Sequence, residues 1–138
     1  MSVAEIFFDT NVILYLLSEE AAKANRAEEI IASGGIISVQ VLNEFAAVAS
    51  RKLAMEFGEI REVLATVRAV CTIKPVDIET HELGLDLAQR YRFSVYDALI
   101  VAAALRAGCK ILYTEDLRHN QRIEGLTIRN PFTGRCRP

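Results

Sequence analysis

The sequence predicts an α/β fold, a parallel sheet with helices on both faces. Three observations predict it. Short apolar runs (IFF, IIS, ILY, LTI) alternate throughout with helix-length amphipathic segments. The length of 138 residues suits one domain with one core. No internal repeat, low-complexity tract or linker interrupts the alternation, so residues 1–138 read as a single domain.

The elements follow in order. Glu5 to Asp9 reads as a short buried strand, and a helix follows from Asn11 to Leu17. A second helix spans Glu20 to Ala32 and is stopped by Gly34 and Gly35. Ile36 to Ser38 is the next strand. Val39 to Leu53 is a helix, with Val41, Leu42, Phe45, Val48 and Ala49 on its apolar face. Another helix covers Glu56 to Ala69. Cys71 to Val76 is a strand broken by Pro75. Asp77 can cap a helix running to Tyr91. After a loop from Arg92 to Val95, Ser94 can cap a helix from Val95 to Ala107 that Gly108 ends. Lys110 to Tyr113 is a strand, Thr114 to Gln121 a polar turn, and Leu126 to Arg129 the last strand. The tail PFTGRCRP is expected to be loose.

Composition excludes several classes. With 51% apolar and 25% charged residues, the chain is globular rather than disordered. A net charge of -2 carries no global nucleic-acid signature, so a nucleic-acid partner needs a local basic surface. The longest apolar run, Ala98 to Leu105, is too short to span a bilayer, and no signal peptide is evident. Three cysteines show no metal-binding spacing. Cys71 and Cys109 read as small buried thiols and Cys136 lies in the tail, which fits a reducing cytoplasm.

Four acids stand where folding does not require them: Asp9, Glu44, Asp97 and Asp116. Each ends or flanks a strongly apolar segment and is expected to be partly buried. A buried carboxylate is costly without a partner, and no Lys or Arg occupies an equivalent junction in these segments. Each acid also has an ordinary explanation. Asp9 can cap the helix after it. Glu44 falls about 40° from Val48 on a helical wheel, so it flanks the buried stripe and could pair with Arg51 or Lys52. Asp97 looks inward with Val101 and Ala104 if Arg106 marks the solvent face, yet Ser94-x-x-Asp97 is also a capping box. Asp116 can be a turn acid with Thr114 as its cap, and its neighbour Glu115 is expected to face solvent.

Topology strains the ordinary explanations taken together. In open α/β sheets, groups just after strand ends gather at the carboxyl edge. Two carboxylates 4 Å apart repel by about 4 kcal/mol at an effective dielectric of 20, and a hard divalent cation such as Mg²⁺ or Mn²⁺ reverses that sign. Such a site suits phosphodiester hydrolysis, because a metal acidifies and orients water and offsets phosphate charge. The chain lacks GxxxxGK[ST], GxSxG and HExxH. His81 and His119 read as surface histidines, which disfavours His/His cleavage.

FFDTNVILYLLS, ISVQVLNEF, SVYDALIVAAALRAGC and ILYTEDLRH, followed by GLTIRNPF, resemble a PIN-domain nuclease, in order and over nearly the whole chain. The resemblance is closest to VapC-type toxins of toxin–antitoxin pairs. It implies a three-layer α/β/α sandwich with a mainly parallel sheet and a Mg²⁺- or Mn²⁺-dependent endoribonuclease. The family's acidic quartet, both catalytic and metal-holding, falls on Asp9, Glu44, Asp97 and Asp116. Asn11 and Thr114 match supporting polar positions. The resemblance also implies a homodimer and a small antitoxin that inserts a segment across the acids.

Arg90, Arg92, Arg118 and Arg122 are candidates for binding flanking RNA phosphates, although each could equally be solvated surface charge. Tyr96 could stack on a base but is expected to pack in the core. The competing function is a nucleic-acid- or protein-binding module without cleavage. A phosphatase ranks last, since DTN lacks the second Asp of a DxD nucleophile motif. The helices at Glu20 to Ala32 and Leu42 to Leu53 carry apolar surface for a partner copy.

Overall fold

Parallel strands at the centre of a sheet are covered on both faces and tolerate uninterrupted apolar runs. The IFF, IIS and ILY runs occupy those central places. A computed structural model of the chain describes residues 5–133. Its strands are β1 (Ile6–Phe8), β2 (Gly35–Ser38), β3 (Cys71–Lys74), β4 (Ile111–Tyr113), β5 (Arg122–Ile123) and β6 (Leu126–Arg129). They form one sheet in the order β3-β2-β1-β4-β6-β5. All pairings are parallel except β5 with β6. Phe7 pairs with Ile36 on one side and Leu112 on the other, and Phe7, Phe8, Ile37, Leu112 and Ile128 are fully buried.

The helices are α1 (Thr10–Leu14), α2 (Ala21–Ala32), α3 (Val39–Arg51), α4 (Phe57–Val70), α5 (Ile78–Tyr91) and α6 (Val95–Arg106). They pack as one group built from α1 to α4 and a second formed by the α5–α6 hairpin, giving the expected three-layer α/β/α arrangement. The predicted caps are present: Asp77 accepts from Thr80 N at 2.9 Å and Ser94 from Asp97 N at 3.1 Å. Gly34 (φ 87°) and Gly108 (φ 76°) take the left-handed backbone that ends α2 and α6.

Three local expectations change. The helix expected over Asn11 to Leu17 stays α-helical only to Leu14 and tightens into a 3₁₀ turn, Tyr15–Leu17, a common ending for a short helix. Strand β5 was not anticipated: its two residues carry one apolar side chain, too little for a period-2 signal. Its turn runs through Glu124 (φ 48°) and Gly125 (φ 90°), and a Glu gives little warning of a left-handed turn. The start of the tail is anchored rather than loose. Pro131 is buried and accepts from Arg26 Nε at 3.0 Å, and Phe132 meets the Tyr15 ring edge-on at 4.6 Å. The rest of the tail, with Cys136, lies outside the described residues.

Cys71 and Cys109 are buried, and burial pushes both thiols up to about 11, as small core thiols. No helix among the described residues is long and apolar enough to cross a membrane.

Candidate metal centre

Because β1 and β4 are adjacent and parallel, the residues that follow them emerge side by side. Asp9 directly follows Phe8, which pairs with Tyr113, and Asp116 lies in the loop after Tyr113. Helix α6 begins at the same place and brings Asp97 in its first turn. One carboxylate oxygen from each of Asp9, Asp97 and Asp116 lies within 4.8 Å of the others. The three line a cavity of about 360 Å³ that Glu44 also lines. Asp9 is buried, Asp97 and Glu44 are half-buried, and Asp116 is exposed.

Glu44 stands apart from the three. Its Oε1 accepts from the Thr10 hydroxyl at 2.6 Å and its Oε2 from the Gln40 amide at 3.0 Å. Gln40 also donates to the Tyr96 carbonyl at 3.2 Å, tying α3 to the start of α6. Gln40 is four residues before Glu44 and shares its helix face, a spacing visible in sequence. The other link, Thr10, sits beside Asp9 in the DTN motif.

Thr114 is the hub between the two strand ends. Its hydroxyl donates to Asp9 Oδ2 at 2.7 Å and accepts from Asn11 Nδ2 at 3.2 Å and from Asp116 N at 3.0 Å. That uses one donor and two acceptor sites, the full capacity of a hydroxyl. Asp9 Oδ1 accepts from Thr10 N at 2.6 Å, so Asp9 caps α1 while facing the cavity. Replacing Thr114 by valine keeps the shape and orphans these partners. Thr114→Val is expected to destabilise the protein by about 1–3 kcal/mol, seen as a lower urea midpoint with an unchanged slope. An unmoved midpoint rules out the hub.

Glu115 does not face solvent as expected. It accepts from the Tyr15 hydroxyl and lies 3.5 Å from Lys23 Nζ, and its backbone N–H donates to Asn11 Oδ1 at 3.3 Å. Lys23 also donates to the Tyr15 hydroxyl at 3.1 Å and sits 4.6 Å over that ring. Tyr15, Lys23 and Glu115 thus clamp the loop carrying Asp116 onto α2. No periodicity or motif links these positions in the sequence.

Electrostatics show what the cavity lacks. Burial pushes the Asp9 carboxyl from 3.8 up to about 7; Asp116 and Asp97 add to the rise, against the Thr114 hydroxyl and the Thr10 N–H. Burial likewise raises Asp97, with Asp116 and Glu44 adding and the Ser94 hydroxyl opposing. Among the described residues, no Lys, Arg or His lines the cavity. Clustered hard oxygen donors that resist ionisation for want of positive charge fit a divalent cation such as Mg²⁺ or Mn²⁺.

The four arginines lie elsewhere: none lines the acidic cavity. Arg90 pairs with Glu124 at 2.7 Å and stacks over Tyr91. Arg92 is the exposed left-handed cap of α5, Arg118 is exposed in the loop beyond Asp116, and Arg122 is exposed on the edge strand β5. His81 and His119 are exposed, and His119 Nδ1 accepts from Asn130 N at 2.9 Å. Tyr96 does not pack in the core. It is 67% exposed, on the open side of the first turn of α6 with Val95, while Ala98 in the same turn is buried.

The family profile described as the PIN domain matches residues 6–124. Three solved structures share the fold. One is Mycobacterium tuberculosis VapC20, a sarcin–ricin loop cleaving toxin, at 23% identity over 80% of this chain and 89% of that one, with a TM-score of 0.66. A toxin–antitoxin complex from Klebsiella pneumoniae matches at 21% identity over 92% and 98%, with a TM-score of 0.70. VapBC2 from Rickettsia felis, bound to a promoter DNA fragment, matches at 21% identity over 91% and 97%, with a TM-score of 0.64. At these identities the likeness is one of fold. No curated protein sequence matches the chain.

Proposed function

The chain belongs to the PIN-domain family, and from that premise we propose that it is a divalent-metal-dependent endoribonuclease, the toxin of a toxin–antitoxin pair. The observation that carries the proposal is the meeting of Asp9, Asp97 and Asp116, from three separate elements, within 4.8 Å and with no cationic side chain among the described residues lining the cavity. The structural neighbours, among them a sarcin–ricin loop cleaving toxin and a toxin–antitoxin complex, support the RNA and antitoxin parts of the reading.

In this reading Asp9, Asp97 and Asp116 hold the metal. When bound, Mg²⁺ or Mn²⁺ supplies Lewis-acid chemistry, offsetting phosphate charge and acidifying water. The chain's own residues do the positioning. Thr114 fixes Asp9 and the Asp116 backbone relative to each other, and Asn11 fixes Thr114 and Glu115. Glu44, held by Thr10 and Gln40, adds negative charge at the cavity wall. A small antitoxin would silence the enzyme by covering the acids, and α2 and α3 offer surface for a second copy.

Incubating the purified protein with total RNA tests the function. Time-dependent cleavage is expected in Mg²⁺ or Mn²⁺, stopped by EDTA and restored by excess Mn²⁺. Binding of RNA without cleavage would move the assignment to a binding module.

A further inference from the structure

The acidic cavity does not end at the carboxylates. At Glu44, Ala47 and Tyr96 it opens into a groove of about 830 Å³ along α3. The groove changes character along its length. Glu44 marks the acidic stretch where cavity and groove meet. Arg51 also lines the groove, two helical turns further on the same face and about 10 Å along the axis. On the other side of Glu44, toward the start of α3, the lining is mainly apolar, with Val39 and Val76 at 39% and 38% exposure and the Tyr96 ring open. Arg51 and its neighbour Lys52 are exposed, and neither side chain has a hydrogen-bond or ion-pair partner among the described residues.

A purely apolar partner has no use for a cation at one end of the groove and an acidic centre along it. A single nucleic-acid strand uses both, because its phosphates need positive charge and its flat bases need an apolar, preferably aromatic, platform. We propose that this groove is the track for the single-stranded RNA flanking the scissile phosphate, with Tyr96 stacking a base on one side of the acidic centre and Arg51, with Lys52 beside it, binding a phosphate on the other. The proposal rests on the nuclease reading and names where that substrate lies. It moves the phosphate contacts from Arg90, Arg92, Arg118 and Arg122 to α3.

The test separates the two readings. Anisotropy of a fluorescent single-stranded RNA oligonucleotide is measured with Asp97→Asn protein in Mg²⁺, so that the strand stays intact. Adding Tyr96→Ala is expected to weaken binding about 10-fold, and Tyr96→Phe, which keeps an aromatic face, to rescue it. Arg51→Ala is expected to weaken binding and lower the slope of log K against log salt by about one. Arg61→Ala on α4 makes the same charge change away from the groove and serves as the control. Groove variants that bind like Arg61→Ala overturn the track. So do groove variants that change the sedimentation mass but not RNA affinity, since the groove then joins protein copies. Wild-type cleavage of total RNA is followed separately. Its absence overturns the nuclease reading, and the track with it, whereas its presence alongside unaffected groove variants overturns the track alone.

Discussion

Asp97→Asn is expected to lower metal-dependent RNA cleavage by about 10²- to 10³-fold while leaving the fold unchanged. The amide matches the carboxylate in shape but has one fewer negative charge and is a poor ligand for a hard cation. Losing several kcal/mol of charge stabilisation at the reacting phosphate corresponds to that range. The fold tolerates the change because the Ser94 cap uses the Asp97 backbone N–H, which the substitution keeps. The favourable placement of an anion near a helix N-terminus is worth only ~0.3–1 kcal/mol, and removing one of three repelling carboxylates offsets part of it. Circular dichroism and melting temperature should match wild type. Cleavage within threefold of wild type would show that the three carboxylates are not the reacting centre.

Removing divalent metal is expected to make stability depend on pH through Asp9. Its carboxyl sits at about 7 in the folded chain against 3.8 for the ordinary group. The folded state therefore favours the protonated acid. That contribution is fully present below about pH 4 and is lost as pH rises through 7, amounting to about 4 kcal/mol. In EDTA, wild type should lose stability between pH 4 and 7 relative to Asp9→Asn, which cannot ionise there. Mg²⁺ at pH 8 should restore wild type, and metal binding near pH 7 should release a proton, measurable in a weakly buffered solution. Parallel pH profiles for wild type and Asp9→Asn in EDTA would refute the assignment.

Most elements were legible because each carries a strong period. The α3 stripe of Val41, Phe45 and Ala49 and the buried runs of β1, β2 and β4 leave little choice. The three aspartates were legible for a related reason, since Asp9 and Asp116 follow apolar strands at the carboxyl edge and Asp97 opens an apolar helix. What stayed hidden depends on partners far apart in sequence. Glu115 resembles any surface acid until Tyr15 and Lys23 fold over it. Arg90 resembles a free cation until the β5–β6 turn brings Glu124 to it. Tyr96 lies in a run, SVYDALI, whose hydrophobicity gives no hint that Tyr96 lies on the open side of the first helical turn.

The pairing of β1 with β4 has a consequence for synthesis. Chains emerge from the ribosome N-terminus first and fold as they lengthen. Asp9, Glu44 and Asp97 are all made before Ile111, yet until β4 docks, Asp9 has neither the Thr114 hydroxyl nor Asp116 beside it. A nascent or prematurely terminated chain therefore holds Asp9, Glu44 and Asp97 without the assembled acidic cluster, which exists only once β4 and the loop after it are in place.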